Sequence, residues 1–233
     1  MRSRSIKAGD CTILRVTDLK RYDLRVSGLT PQQEGDVAAR LRAGALVIYP
    51  TDTLYAIGCR ALDGEAVARL REAKGREADK ALPVIVADVA QARSLAARWP
   101  EEAQRLADAF WPGPLTLVVP AAASLPVELL AGAGTIAVRV PASDVALALA
   151  RLAGPLVSTS ANIAGEAPCV TVDLAAAAFP AATLAFDVGS LDGAPSTVVD
   201  LTGLAGGFRI LRAGRIDGQA IEQRLGSLPP PRS

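Results

Sequence analysis

No histidine occurs anywhere in the 233 residues. That excludes Ser-His-Asp and Cys-His catalytic machinery and any histidine-ligated zinc. Acid–base or charge-stabilising chemistry must then come from carboxylates, Lys, Arg, hydroxyls, backbone N–H groups or the substrate itself. Aromatic residues are only 4% of the chain, so Val, Ile, Leu and Ala must build the core. The three cysteines, Cys11, Cys59 and Cys169, form no CxxC pair and no zinc spacing. So sparse and odd a count suits a reducing compartment. No apolar run approaches the roughly 20 residues of a membrane helix. Residues 1–10 are basic but are followed by no apolar stretch, so no secretory signal is expected and a cytoplasmic location is. With 25 Lys+Arg against 24 Asp+Glu, charge makes no global argument for nucleic acid, although a local basic site remains compatible with it.

What is present is an apolar half of the residues, a mean hydropathy of +0.28 and enough length for one large domain or two small ones. Residues 1–29 read as an N-terminal extension with a strand over 12–16. A helix starts at Thr30-Pro31-Gln32-Gln33, where Thr30 caps, Pro31 suits the first helical position and Gln33 completes a capping box; Gly44 ends it. A buried strand over 45–49 follows. The next helix spans 65–74, capped by Asp63 and stopped at Gly75. Strands are predicted over 82–87, 115–119, 135–140, 156–159, 185–188, 196–201 and 208–212. Helices are predicted over 89–98, 101–110, 144–152, 175–179 and 219–225, with Trp111-Pro112-Gly113-Pro114 outside any helix. Strands alternating with helices imply α/β architecture, and adjacent late strands imply an antiparallel part. The expected fold is a single-domain twisted sheet, mixed parallel and antiparallel, with flanking helices. Its domain spans 30–225, and 226–233 form a loose Pro-rich tail.

The polar residues cluster directly after apolar strands, where open α/β sheets place ligand sites. Thr51-Asp52-Thr53 follows the first buried strand. It is either a site for a small zwitterion or phosphate or a connection in which Asp52 closes an Asx turn. Lys74-Gly75-Arg76 and Lys80 either neutralise a polyphosphate or complement a helix dipole. Ser158-Thr159-Ser160-Ala161-Asn162, bracketed by Gly154 and Gly165, is a polar ligand wall or a capping turn. Arg139 alternates with apolar residues and is a snorkelling surface residue or a carboxylate clamp. Ser196-Thr197 opens a late strand and Arg212 closes another. No Walker loop or GxGxxG follows any strand, so the usual nucleotide folds are unsupported.

Together these strings resemble the YrdC-like family of L-threonylcarbamoyl-AMP synthases in its single-domain form. The matching text is Tyr49-Pro50-Thr51-Asp52-Thr53-Leu54-Tyr55, Lys74-Gly75-Arg76 with Lys80, Trp111-Pro112-Gly113-Pro114-Leu115-Thr116 and Thr135-Ile136-Ala137-Val138-Arg139-Val140-Pro141. It continues with Ser158-Thr159-Ser160-Ala161-Asn162 and Gly165, then Ser196-Thr197-Val198-Val199-Asp200-Leu201 and Ile210-Leu211-Arg212, in order over about residues 30–216. The resemblance implies a sheet around a concave, electropositive cavity. It implies joining of L-threonine, bicarbonate and ATP, with Mg²⁺, to threonylcarbamoyl-AMP and pyrophosphate, the first step of tRNA N6-threonylcarbamoyladenosine formation. Lys74, Arg76, Ser160 and Asn162 then correspond to a catalytic tetrad. Arg76, Lys80, Thr135, Ser160 and Arg212 would hold ATP. Thr51, Arg139, Ser158 and Ser196 would hold threonine, with Arg139 on its carboxylate. No residue is assigned to a metal.

The same resemblance implies tRNA binding and hand-off to the threonylcarbamoyl transferase proteins as partners, and no membrane. Two departures stand out: Ala56 where many members carry glycine, and Ile85 where members often place a histidine. Longer members add a C-terminal domain that this chain is expected to lack. The competing reading is a double-stranded RNA- or tRNA-binding paralogue without synthase activity, against which stand the balanced charge and few stacking aromatics. Hydrogenase-maturation relatives carry extra zinc and acyl-phosphatase modules, which 233 residues with three scattered cysteines are not expected to hold.

Overall fold

The computed structural model describes residues 19–75, 81–163, 166–203 and 207–226. The strand expected over 12–16, the site residues Arg76 and Lys80, Gly165 and the tail from 227 lie outside the described residues. In chain order the first elements are β1 (Lys20–Asp23), α1 (Pro31–Arg42), β2 (Val47–Pro50), β3 (Tyr55–Gly58), α2 (Gly64–Ala73), β4 (Val84–Ile85), α3 (Val89–Ser94) and α4 (Glu101–Phe110). There follow β5 (Leu115–Pro120), α5 (Val127–Leu130), β6 (Thr135–Arg139), α6 (Asp144–Ala153), β7 (Leu156–Val157) and β8 (Thr159–Ser160). The last are α7 (Val172–Ala178), β9 (Leu184–Asp187), β10 (Thr197–Asp200), β11 (Arg209–Arg212) and α8 (Gly218–Leu225).

Helix starts follow their caps. The Thr30 N–H donates to Gln33 Oε1 at 2.8 Å and the Gln33 N–H donates to Thr30 Oγ1 at 3.3 Å, so the capping box forms. Asp63, Asp88, Ser143 and Thr171 each accept an N–H from the first turn of α2, α3, α6 and α7. Gly44, at φ +84°, turns the chain out of α1 toward β2.

The mixed α/β architecture divides its strands between two sheets. One runs β1-β9-β2-β3-β8 and the other β11-β10-β5-β6-β4-β7. The run 156–159, expected as one strand, explains the division. Leu156 and Val157 pair with β4 in the second sheet, while Thr159 and Ser160 pair with β3 in the first. The chain crosses between sheets at Ser158, whose N–H donates to Pro83 O at 2.8 Å. Only Val84 and Ile85 of the run 82–87 form a strand; Leu82 and Val86 donate instead to Leu129 O and Arg139 O. β1 lies within the stretch read as an extension, and it runs parallel to β9 at the edge of the first sheet.

Alternation places the two faces of β2 and β3 against different partners. Ile48 and Ile57 join a core with α2, α4 and the strands of the second sheet. Val47, Tyr49 and Ala56 join a second cluster with Val37 and Leu41 of α1 and Ala146 and Leu149 of α6. Among the described residues no helix is long and apolar enough to cross a membrane.

The sheets touch where β3 meets β7. A Cβ on Gly58 would stand 1.8 Å from Val157 O and 3.2 Å from the Tyr49 ring. That carbonyl already accepts the Tyr49 hydroxyl at 2.9 Å, so neither neighbour can give way. Gly58→Ala is therefore expected to cost about 2 kcal/mol or more, read as a lower urea midpoint; an unchanged midpoint would contradict this account of the junction.

Candidate functional site

A cavity of about 430 Å³ opens at this junction. Strand alternation supplies its walls. On β6, Thr135, Ala137 and Arg139 face the cavity, whereas Ile136 and Val138 point into the core. On β5, Thr116 and Val118 face it while Leu115, Leu117 and Val119 are buried. Ser196 and Val198 continue the same face across β10, since Val198 stands beside Thr116 in register. Leu211 and Arg212 close that side, and residues 158–160 close the other. Among the described residues the charged side chains lining the cavity are Arg139 and Arg212.

Arg139 is buried, at 7% exposure, so it is no snorkelling surface residue. Its Nε donates to Gly113 O at 2.9 Å, its Nη1 to Thr53 Oγ1 at 3.3 Å and its Nη2 to Asp52 Oδ1. The Trp-Pro-Gly-Pro loop can present that carbonyl because residue 113 has no side chain: a Cβ there would meet Phe110 O at 2.2 Å. Burial pulls the Arg139 pKa down; Asp52 opposes this and the like charge of Arg212 adds to it. Arg212 is anchored differently. Its Nε and Nη2 donate to Ser196 O and Oγ at 3.0 and 2.8 Å, and Ser196 Oγ is 3.0 Å from Thr116 Oγ1. The residues expected to serve threonine and ATP, Ser196 and Arg212, are thus bonded to each other.

The turn after β2 is closed by Thr51. Its Oγ1 accepts the N–H groups of Thr53 and Leu54 at 3.2 and 3.1 Å. Asp52 does not close an Asx turn; it reaches Arg139. Thr51 nonetheless lines the cavity, as do Ser158 and Ser160, so the turn and wall readings hold together. Ile85 also lines it and Ala56 lies opposite Ser160 in the β3–β8 pairing, so both departures from the family pattern fall on the cavity wall.

Lys74 and Asn162 are placed otherwise than as cavity lining. Lys74 Nζ donates to the carbonyls of Ser160 and Asn162 at 2.8 and 2.7 Å and stands 5.2 Å from the Phe179 ring centroid. The Asn162 amide donates to Ile163 O and Glu166 O at 3.1 and 2.8 Å. Lys74 terminates α2, and its ammonium supports the wall segment from its backbone. Asp52 as an Arg139 partner, and Thr53 and Thr116 as cavity-lining residues, are not foreseen from the sequence. The only signal available was that each sits in a string already singled out.

Cysteine nucleophiles are not available among the described residues. Burial pushes the Cys59 thiol up to about 12 and raises that of Cys169. Nor do these residues fit a resident magnesium site. No cluster of three or more Cys, Asp or Glu is present among them, and no carboxylate among the described residues lines the cavity.

The class the structure defines is a mixed α/β domain with a hydroxyl-rich, arginine-bearing cavity between two sheets, of a size that suits a small molecule. Residues 39–214 match the Sua5/YciO/YrdC family model, described as "Telomere recombination", and the chain belongs to that family. The threonylcarbamoyl-AMP synthase of Pyrococcus abyssi (strain GE5 / Orsay) is 48% identical over 116 residues, covering 50% of this chain and 34% of that protein. The synthase of Bacillus subtilis (strain 168) is 42% identical over 123 residues, with 52% and 36% covered. The chain therefore spans about a third of the length of these curated relatives. The crystal structure of P. abyssi Sua5 complexed with L-threonine superposes with a TM-score of 0.83 at 37% identity, over 90% of this chain and 62% of that one. E. coli YciO shares the fold, with a TM-score of 0.77 at 24% identity over 87% and 99% of the two chains.

If Lys74 supports the wall segment, Lys74→Met should loosen it. Losing charge-assisted hydrogen bonds of about 1.5–3 kcal/mol predicts amide exchange at residues 159–161 faster by about tenfold or more, with residues 136–138 unaffected. Equal protection in both proteins would show that the ammonium does not hold the segment.

Proposed function

We propose that this chain synthesises L-threonylcarbamoyl-AMP from L-threonine, bicarbonate and ATP with release of pyrophosphate, as the first step of tRNA N6-threonylcarbamoyladenosine formation. The observation that carries the reading is the cavity: a buried arginine, an anchored second arginine and rings of hydroxyls, in a chain 48% identical over 116 residues to a threonylcarbamoyl-AMP synthase. Arg139 would pair with the threonine carboxylate, with Thr51, Ser158 and Ser196 around the remaining polar groups. Arg212, Thr135 and Ser160 would meet the nucleotide, joined by Arg76 and Lys80 as the resemblance assigns them. Direct tRNA binding, hand-off to transferase proteins and a cytoplasmic location belong to the same proposal.

The chemistry asks little covalent work of the protein. Threonine's amine and bicarbonate condense to a carbamate with loss of water. A carbamate oxygen then bonds to the α-phosphorus while the bond to the pyrophosphate oxygen breaks. The carbamate is already an anion, so this step needs no protein base, in keeping with a chain without histidine. What the protein must supply is alignment and charge. Arg139 and Arg212 hold two anionic substrates in one cavity, and Ser160 and Thr135 orient the nucleotide between them.

Purified protein incubated with ATP, magnesium, threonine and bicarbonate should form threonylcarbamoyl-AMP by mass spectrometry, and leaving out bicarbonate should abolish it. Absence of both product and pyrophosphate would refute the proposal. Arg212→Ala removes a guanidinium assigned to the phosphates. It should raise KM for ATP about tenfold or more and KM for threonine less. A larger effect on threonine would reverse the assignment.

A further inference from the structure

A guanidinium carries five N–H donors in one plane. Three of those on Arg139 are directed at the protein: Nε at Gly113 O, Nη1 at Thr53 Oγ1 and Nη2 at Asp52 Oδ1. The two that remain, one on each Nη, can serve a planar carboxylate in the cavity. Which two remain is decided by where the other three are tied. Gly113 and Thr53 offer neutral acceptors. Asp52 is the partner that carries charge, and both side chains are nearly enclosed.

Asp52 does not line the cavity. It lines an adjoining groove of about 680 Å³ together with Glu34 and Asp144, and Thr51 is common to both spaces. The turn 51–53 is therefore a partition. Arg139 faces the cavity on one side and meets Asp52 on the other. The cavity must also take a polyphosphate, a far stronger attractor for a bare guanidinium than one carboxylate.

We propose that Asp52 is a positioning and specificity residue. By tying and neutralising Arg139 from behind the partition, it reserves the two inward N–H donors for the threonine carboxylate and keeps Arg139 from being drawn onto the ATP phosphates. The inference rests on the reading of Arg139 as the threonine partner. Asp52 touches neither substrate and acts only through Arg139.

Asp52→Asn keeps the shape and removes the charge. Asp52→Glu keeps the charge and lengthens the tie, and it serves if the Asn variant does not fold. Each should raise KM for threonine about tenfold to a hundredfold, while the dissociation constant for ATP stays unchanged or falls. A merely structural role would weaken both substrates alike. Unchanged threonine KM in the folded variants, or an equal loss for ATP, overturns the role of Asp52. Calorimetry on the wild-type protein separates the two levels. If it binds L-threonine, only the assignment of Asp52 is at stake; if it binds none, the functional reading beneath it falls too.

Discussion

Enclosing a guanidinium between two sheets is the constraint on which this site turns. A buried cation without partners is strongly unfavourable, and a buried pair that loses one partner costs roughly 3–5 kcal/mol. Arg139, on β6, escapes that cost only because two separate stretches converge on it: the turn after β2 with Asp52 and Thr53, and the loop before β5 with Gly113. Each stretch then has its own requirement. Residue 113 must lack a side chain to approach Phe110 O. Thr51 must close its turn with its own hydroxyl so that Asp52 is free to reach across. The local chemistry of two loops is thus set by one charge on a third element.

The cavity exists because the chain changes sheets at Ser158. Had residues 156–160 stayed in one strand, one sheet would run on where two now meet, and no seam would open there. As built, β7 holds the second sheet and β8 the first, with Ser158 between them on the cavity wall. The seam is kept tight at its base by Gly58 and braced at the wall by Lys74. β5, β6 and β10 turn alternate side chains toward the opening, so the same strands that bury Leu117, Val138 and Val199 turn Thr116, Arg139 and Val198 to the cavity, with Ser196 just ahead of β10.

Much of this is legible in the residues because it is local. Thr30 and Gln33 form a cap wherever a helix follows them, and Asp63 behaves alike. Alternation in 135–139 already puts Arg139 on the face opposite Ile136 and Val138. What is not legible is non-local. β3 is four buried residues with no alternation directly after a turn, and β1 is a charged edge strand whose only cue is its partner β9. The short helix α5 follows Pro126 without a side-chain cap. Lys74 at a helix end reads equally as a dipole match or a phosphate ligand. Its ammonium bonds carbonyls 86 and 88 residues away, which no local pattern announces. Asp52 misleads for the same reason: an aspartate in a turn suggests an Asx closure until its distant arginine is known.

The absence of histidine then acquires a physical meaning beyond exclusion. Among the described residues, the ionisable groups on the cavity wall are Tyr55, Arg139 and Arg212. Burial raises the Tyr55 pKa further from neutrality. Burial lowers those of both arginines, but arginine starts so far above neutral that it stays cationic. None of these described groups changes charge across physiological pH, so the field they set is constant. The proposed reaction, which must hold two anions, would be served by such a field. Under that proposal the charge that varies with pH would reside in the threonine amine and the bicarbonate equilibrium, with the same two guanidinia presented to both.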